Sequence, residues 1–557
     1  MAPSRHSLDE FLRPLNIDIP KIHSLAKSLS YTFTRLAKES KNQFLSTPIS
    51  DSLLRPEGDG KGRFLAIDIG GTNLRVGFIE LLSPEDSQVE STKVNGYSTS
   101  NDTGKEASRV RRHLEKSWPI GEQLKHNKAE DLFAWIGSCI AEIVRDGHQK
   151  WDGDLPGEIP LGVTFSFPMI QHTLSDATLM SMGKGFAITS NLDLGKLLLE
   201  GYETTRDPAL PRIKIVAIVN DTIATLISFT YRLRSSPRQK ASMGLIVGTG
   251  CNATIPLALS KLHPSKKPTE IKAINGTEPS NDYKITVNTE WSINGAAAPL
   301  HDLNFITRWD TLLDSQGEAP GFQPFEYMTA GRYLGELGRL IILEYFTEHL
   351  KIPLSSLPPA LLQRHGLTTS FLGNIGPHLS QTQPSMLLQL ETELPSKQKE
   401  AAFRWTQETA EIVYKISKAI QTRAAGMTAA AVIGLLACAD EIHFSSLPSP
   451  SPSSTPLTNG NIIPSPHSSN PTINNQANGE YAIAVEELMV GYTGGCIVHF
   501  QDYLQDCQSF LDAIMAAEFG GSTRKTRVPR VVLTPCHDGG IIGAGILAGT
   551  VMGIGNS

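Results

Sequence analysis

Apolar residues recur at helical spacing through residues 7–46, at Phe11, Leu12, Ile22, Leu25, Leu29, Phe33 and Leu36, and predict an amphipathic helical lead-in over residues 1–60. The period then shortens to that of a strand. FLAIDI (64–69) is a compact apolar run, followed by Gly-Gly and the β-rich run LRVGFIEL, which predicts two strands joined by a tight turn. Next come an amphipathic helix in EDLFAWIGSCIAEIV (130–144) and strands in IPLGVTFSF (159–167) and PRIKIVAIV (211–219). DTIATLISFTYRL (221–233) predicts a helix capped by its own first aspartate. The strand–turn–strand unit then recurs as SMGLIVG, TGCN and ATIPL. Two such units predict two similar lobes facing each other, over 61–233 and 238–550. Long helical stretches follow at 325–349 and 400–443, and the chain closes with a helix (499–518), the strand RVVLT, the turn HDGG and an apolar helix. Strands alternating with helices in two halves place the chain in the α/β class with a central cleft.

Composition narrows this picture. With 557 residues, 40% hydrophobic and 19% charged, the chain suits two or three lobes of ordinary globular make-up. The formal net charge of −6 gives no general attraction to nucleic acid or acidic membranes, and no nucleic-acid partner is expected. The six cysteines are scattered, without a CxxC pair, and read as reduced thiols. MAPSRHSLDEFLRPLNIDIP holds no apolar signal-peptide core. GGIIGAGILAGTVMGIG is glycine-broken and shorter than the ~20 residues of a membrane span, so it predicts a buried helix. A cytoplasmic location without a transmembrane segment is the expectation. The Ser/Pro/Asn-rich run 444–480 is almost uncharged and predicts a disordered insertion, a place for protein partners. The lysine-rich stretch 260–283 predicts a smaller surface excursion.

Chemistry-bearing residues cluster at the strand ends. Asp68-Ile-Gly70-Gly71-Thr72-Asn73-Leu-Arg75 sits on the first turn, where backbone N–H groups can converge on an anion and Asp68 can hold a hydrated Mg²⁺. A type I′ turn with a surface arginine is the alternative. Asn220-Asp221 ends a strand and begins a helix; Asp221 is either an N-cap or a base at the strand end where α/β sheets bind ligands. Gly248-Thr249-Gly250-Cys251-Asn252 is the second glycine turn, able to hold phosphate through N–H groups and the Thr249 hydroxyl. Glu290 follows a β-rich run, Glu326 begins a helix where an acid also suits the helix dipole, and Ser166 lies at a strand end.

FLAIDIGGTNLRV, LGVTFSFP, VNDTIATL, GLIVGTGCNAT, VNTEW and the PG-x-Q-x-x-E pattern from Pro320 together resemble the eukaryotic hexokinase/glucokinase family, over about residues 10–550. The resemblance implies a two-lobed, actin-like/ribonuclease H-like ATPase fold, with ATP and Mg²⁺ as cofactors and a hexose as substrate. It implies a sugar-binding set of Ser166, Lys184, Asn220, Asp221, Asn252, Glu290 and Glu326, with Asp221 the general base and Lys184 and Arg75 beside it. It also implies a nucleotide set of Asp68, Gly70, Gly71, Thr72, Asn73, Arg75, Gly248, Thr249, Gly250, Gly494 and Gly539, with Asp68 and Asp221 nearest the metal. A chaperone-like or actin-like ATPase shares the fold but has no use for the sugar set.

Four stretches depart from the family pattern. Asn-Trp-Thr-Lys-Gly-Phe is here Ser181-Met-Gly183-Lys184-Gly-Phe186, without the threonine hydroxyl. Val-Asp-Gly-Ser aligns with Tyr492-Thr493-Gly494-Gly495, and Asp-Gly-Ser-Gly-x-Gly with Asp538-Gly539-Gly540-Ile541-Ile542-Gly543. Phe322 replaces the first of two glutamines. Each lost hydrogen bond to a charged group costs ~1.5–3 kcal/mol, so the sequence predicts either a slowed hexose kinase or a hexose-binding regulatory protein.

Overall fold

The computed structural model describes residues 5–51, 61–82, 109–121, 123–124, 128–180, 191–233, 238–271, 283–376, 386–395, 403–445, 485–520 and 528–554. The Gly183–Lys184 stretch and nearly all of the predicted 444–480 insertion lie outside the described residues.

In chain order the strands are β1 (Leu45–Ser50), β2 (Gly62–Ile69), β3 (Asn73–Leu81), β4 (Val110–Pro119), β5 (Glu158–Phe165), the short β6 (Met169–Ile170) and β7 (Thr178–Leu179), and β8 (Arg212–Val219). The second half supplies β9 (Gln239–Val247), β10 (Cys251–Ala258), β11 (Lys284–Asn288), β12 (Glu487–Thr493) and β13 (Arg530–Pro535). One sheet has the order β4-β3-β2-β5-β8 and the other β1-β11-β10-β9-β12-β13. In each, three antiparallel strands made by hairpins are followed by two parallel ones. Without β1 at its edge, the second sheet repeats the first strand for strand. The recurring strand–turn–strand pattern is thus the visible part of two lobes of like topology.

Both faces of the small-lobe sheet are covered, as the near-continuous apolar runs of β5 and β8 require. Helices Ala129–Lys150 and Leu194–Thr205 cover one face through Ile136, Ile140, Leu194 and Leu198. Helices Asp221–Arg232 and Gly539–Ile554 cover the other, setting Ile223, Leu226, Ile541 and Ile546 against Phe64, Ala66, Ile79 and Val219. The last helix therefore belongs with the first lobe, although its sequence position suggests the second. Conversely, the predicted N-terminal lead-in is no appendage. Helix Ile19–Glu39 contributes Leu25, Leu29 and Phe33 to the large-lobe core, and β1 pairs with β11 at its edge. Apolar stripes in both segments need a partner surface, and the surface lies on the opposite half of the chain.

Three smaller expectations change. The stretch 325–349 divides at Ala330, whose extended backbone separates helix Pro324–Thr329 from Gly331–Glu344. The helix at 221 is capped by Asn220, whose Oδ1 accepts from Thr222 N at 3.0 Å; Asp221 is the first helical residue. Within the lysine-rich stretch Lys266 is buried, its ammonium bonded to the backbone oxygens of Leu36 and Gln43. Helix Gln407–Cys438 is long and apolar enough to cross a membrane by length and composition, and is mostly buried inside the large lobe. The shorter Gly539–Ile554 helix is buried, as its composition predicts.

Candidate active site

Three cavities lie end to end along the cleft. The first, about 370 Å³, takes Ser166, Asp221, Asn252, Glu290, Gln323 and Glu326 into its lining. The second, about 190 Å³, is walled by Asp68, the Gly70–Asn73 turn, Arg75, Thr249, Gly494 and Gly539. They share Ser166, Asp221, Ile246 and Gly250, so Asp221 faces both. The third, about 690 Å³, meets the second at Thr72 and Thr249 and opens against Gly248, Arg332, His365, His499 and Phe500. Three compartments, each sharing lining residues with the next, are thereby laid out in order.

The first cavity is a network of amides and carboxylates. Glu290 Oε1 accepts from Asn288 Nδ2 at 2.9 Å and from Asn252 Nδ2 at 3.3 Å, and Asn252 Oδ1 accepts from Ala253 N at 2.8 Å. Glu326 is buried, and its Oε2 accepts from Cys251 N at 3.1 Å and Ser292 Oγ at 3.3 Å. A polyol is recognised by such matched donors and acceptors. Of the set expected from sequence, Lys184 lies outside the described residues, and among the described ones Asn220 alone does not line this cavity. Its Oδ1 is taken by Thr222 N and Oγ1, its Nδ2 points at Phe165 O, and it is absent from the cavity lining. Instead it caps the helix that Asp221 begins.

In the second cavity the Gly70–Asn73 turn is closed by Gly70 N donating to Asn73 O at 2.9 Å. Neither Gly70 nor Gly71 has a positive φ, which excludes the type I′ alternative. Arg75 Nη1 donates to Asp538 Oδ1 at 2.7 Å, and Arg112 Nη1 to Asp538 Oδ2 at 2.7 Å, so one carboxylate holds two guanidiniums at the cavity rim. Nothing in the sequence around Arg112 signals this. Asn288 and Gln323, by contrast, lie inside the VNTEW and PG-x-Q runs and were open to detection.

Burial pushes the Asp68 carboxyl up to about 7, with Arg75 pulling it down and Asp221 and Asp538 pushing it further up. The folded chain keeps a proton that the unfolded chain releases between about pH 4 and 7, so this group's contribution to stability falls as pH rises through that window. Asp68→Asn is therefore expected to raise the melting temperature relative to wild type near pH 8, and by less near pH 4. Thermal denaturation at the two pH values checks this, and an equal difference at both would count against it. Two carboxylates facing one cavity, each disfavouring the other's charge, fit a divalent cation that arrives with phosphates. Among the described residues, no three His, Cys, Asp or Glu side chains gather to hold an ion by themselves.

Two departures from the family pattern read differently in three dimensions. A Cβ at Gly540 would lie 2.5 Å from Asp68 Oδ2 and 2.7 Å from its Cγ, so the glycine admits the carboxylate. Ile541 is fully buried in the small-lobe core and takes no part in the cavities. Thr493 and Phe322 do line the second and first cavities respectively.

The family model described as "Hexokinase" matches in two parts, over residues 7–231 and 242–550. The chain belongs to the hexokinase family. It is 28% identical over 368 residues to a hexokinase of Schistosoma mansoni, covering 66% of this chain and 70% of that one. It is 30% identical over 297 residues to a hexokinase of Kluyveromyces lactis and 31% over 330 residues to one of Emericella nidulans, spanning about half the length of each (51% and 56%). The fold is similar to the solved Schistosoma mansoni hexokinase complexed with glucose, with a TM-score of 0.67 at 22% identity over 98% of both chains. A second hexokinase structure matches with a TM-score of 0.63 at 20% identity, again over 98% of each. The hexokinase fold, two lobes about a cleft, is the one expected from the sequence.

Proposed function

We propose that the protein transfers the γ-phosphoryl group of ATP to the 6-hydroxyl of glucose or a similar hexose. One observation carries the reading: Asp221 faces both the amide-and-carboxylate cavity and the glycine-turn cavity. A base in that position can take the hydroxyl proton as the sugar oxygen bonds to phosphorus and the bond to the departing ADP oxygen breaks. Asn252, Glu290 and Glu326 orient the sugar. The turns at Gly70–Asn73 and Gly248–Gly250 supply N–H groups and the hydroxyls of Thr72 and Thr249 to the phosphate oxygens. Arg75 lines the same cavity while bonded to Asp538. The third cavity suits the nucleoside. Mg²⁺, held beside Asp68 and Asp221, would neutralise phosphate charge when bound. Closure of the lobes over the sugar would exclude water as a competing acceptor.

The regulatory alternative loses part of its motivation, because Gly540 and Ile541 serve packing and Asp68 placement. A cytoplasmic location belongs to this reading, and the six buried cysteines, all free thiols, suit a reducing compartment. The test is a coupled assay with purified protein, glucose, ATP and Mg²⁺. Glucose-dependent ADP release is expected, and turnover no higher than that of an Asp221→Ala control would overturn the proposal.

A further inference from the structure

Glu290 holds a backbone conformation that its side chain disfavours. Its φ is +45°, in the left-handed region, where a non-glycine residue persists only if its surroundings hold it there. The carboxylate end is held by Asn252 and Asn288 as described. The backbone end is held from an unexpected direction, by the loop that follows helix Ile19–Glu39.

Gln43 Nε2 donates to Glu290 O at 2.8 Å, and Phe44 N donates to Thr289 O at 3.0 Å. A longer bond from Ile293 N, at 3.4 Å, shares the Glu290 oxygen. Gln43 and Phe44 are both buried, and Phe44 is itself left-handed with φ +55°. The loop is fixed in turn. Ser40 Oγ accepts from Gln43 N at 3.2 Å, and the buried Lys266 ammonium donates to Gln43 O at 3.1 Å and Leu36 O at 3.3 Å. Burial lowers the Lys266 pKa to about 8. Phe33 lies between the two strained segments, 5.8 Å from the Phe44 ring and stacked 6.1 Å from Trp291. Gly295 has no room for a Cβ because the Gln43 amide occupies that space. Asn42, the next residue along the loop, lines the first cavity.

We propose that Gln43 is a positioning residue for the hexose site: its amide fixes the Thr289–Glu290 turn so that the Glu290 carboxylate meets the sugar in a preset direction. The assignment rests on the hexose reading of the first cavity. Its chemistry is a neutral donor on a backbone carbonyl, with no part in proton or phosphoryl transfer, so its loss acts on sugar affinity.

Calorimetric titration of glucose into wild type, Gln43→Leu and Gln43→Glu tests it, beside steady-state kinetics and melting temperatures. Gln43→Leu keeps the length and loses the donor. Gln43→Glu keeps the volume and sets an acceptor against the Glu290 carbonyl; it decides the matter if Gln43→Leu does not fold. Each is expected to weaken glucose binding about tenfold or more and to raise the glucose KM in step. The KM for ATP and the kcat at saturating glucose should stay within about threefold of wild type. Ser417→Ala, which removes a buried bond to Leu372 O outside the lining of the first cavity, provides a destabilised control whose glucose affinity should not move. Glucose binding within twofold of wild type in a folded Gln43 variant would overturn the assignment and leave the hexose reading standing. Absence of glucose binding by wild type would overturn both.

Discussion

Asp221→Asn is expected to lower kcat by about 10²–10⁴ while leaving glucose affinity within a few-fold of wild type. The variant removes the proton acceptor and, with it, one of the two charges beside the proposed metal position, and leaves the helix cap in place. Asn220, not Asp221, caps the helix, and an asparagine oxygen at 221 can still accept from Thr222 N, the 2.9 Å bond that Asp221 Oδ1 makes. The helix Asp221–Arg232 packs its apolar face into the small-lobe core and should keep its place. Steady-state kinetics with calorimetry separates the two quantities. A kcat loss below tenfold would remove Asp221 from the role of base, and a parallel collapse of glucose binding would make it a sugar ligand foremost.

Gly540→Ser gives the second large effect, and its sign opposes the one that sequence comparison suggests. Serine is the residue of the family pattern, so the substitution looks like a restoration. In this chain its Cβ would lie 2.5 Å from Asp68 Oδ2, well inside contact distance, on a segment whose carbonyl is fixed by Thr164 Oγ1 at 2.9 Å. Asp68 is at the end of β2 and paired with Arg75 across the hairpin, which leaves its short side chain few ways to yield. Displacing a group in the phosphate cavity by about 1 Å costs up to about 10²-fold in rate, so kcat/KM for ATP should fall by about 10–10². A gain in the variant would show that the missing hydroxyl, not the placement of Asp68, limits the chemistry.

The strand–turn–strand units, their helices and most cavity residues were legible because local patterns specify them. Apolar runs ending in Gly-Gly or Gly-Thr-Gly mark a strand, a turn and the next strand regardless of what packs on them. The allocation of segments to lobes was not legible. The stripe on residues 19–39 and the apolar helix after Gly539 announce burial without naming the partner, which each finds across the chain. Asn220 misled for a related reason: the residue before a helix can serve either the cavity or the helix N–H groups, and only its geometry shows the second. Arg112 and Gln43 carry no local signature, because their partners lie in sequence far away, at Asp538 and Glu290. Ile541 stands where the family motif has a glycine, and its burial toward Ile79 and Ala66 can be seen only once the last helix is laid on the sheet.

That last helix also sets the order in which the molecule can be completed during synthesis. The ribosome delivers β2, β3, β5 and β8 early, yet the part of the sheet face that helix Asp221–Arg232 leaves for Ile541, Ile542 and Ile546 stays uncovered until residues 539–554 emerge. A bare apolar sheet face is a target for chaperones and for other nascent chains. The small lobe, whose strands emerge before most of the large lobe, is therefore completed only at the end, and a chain that stops short of Gly539 leaves part of that face exposed.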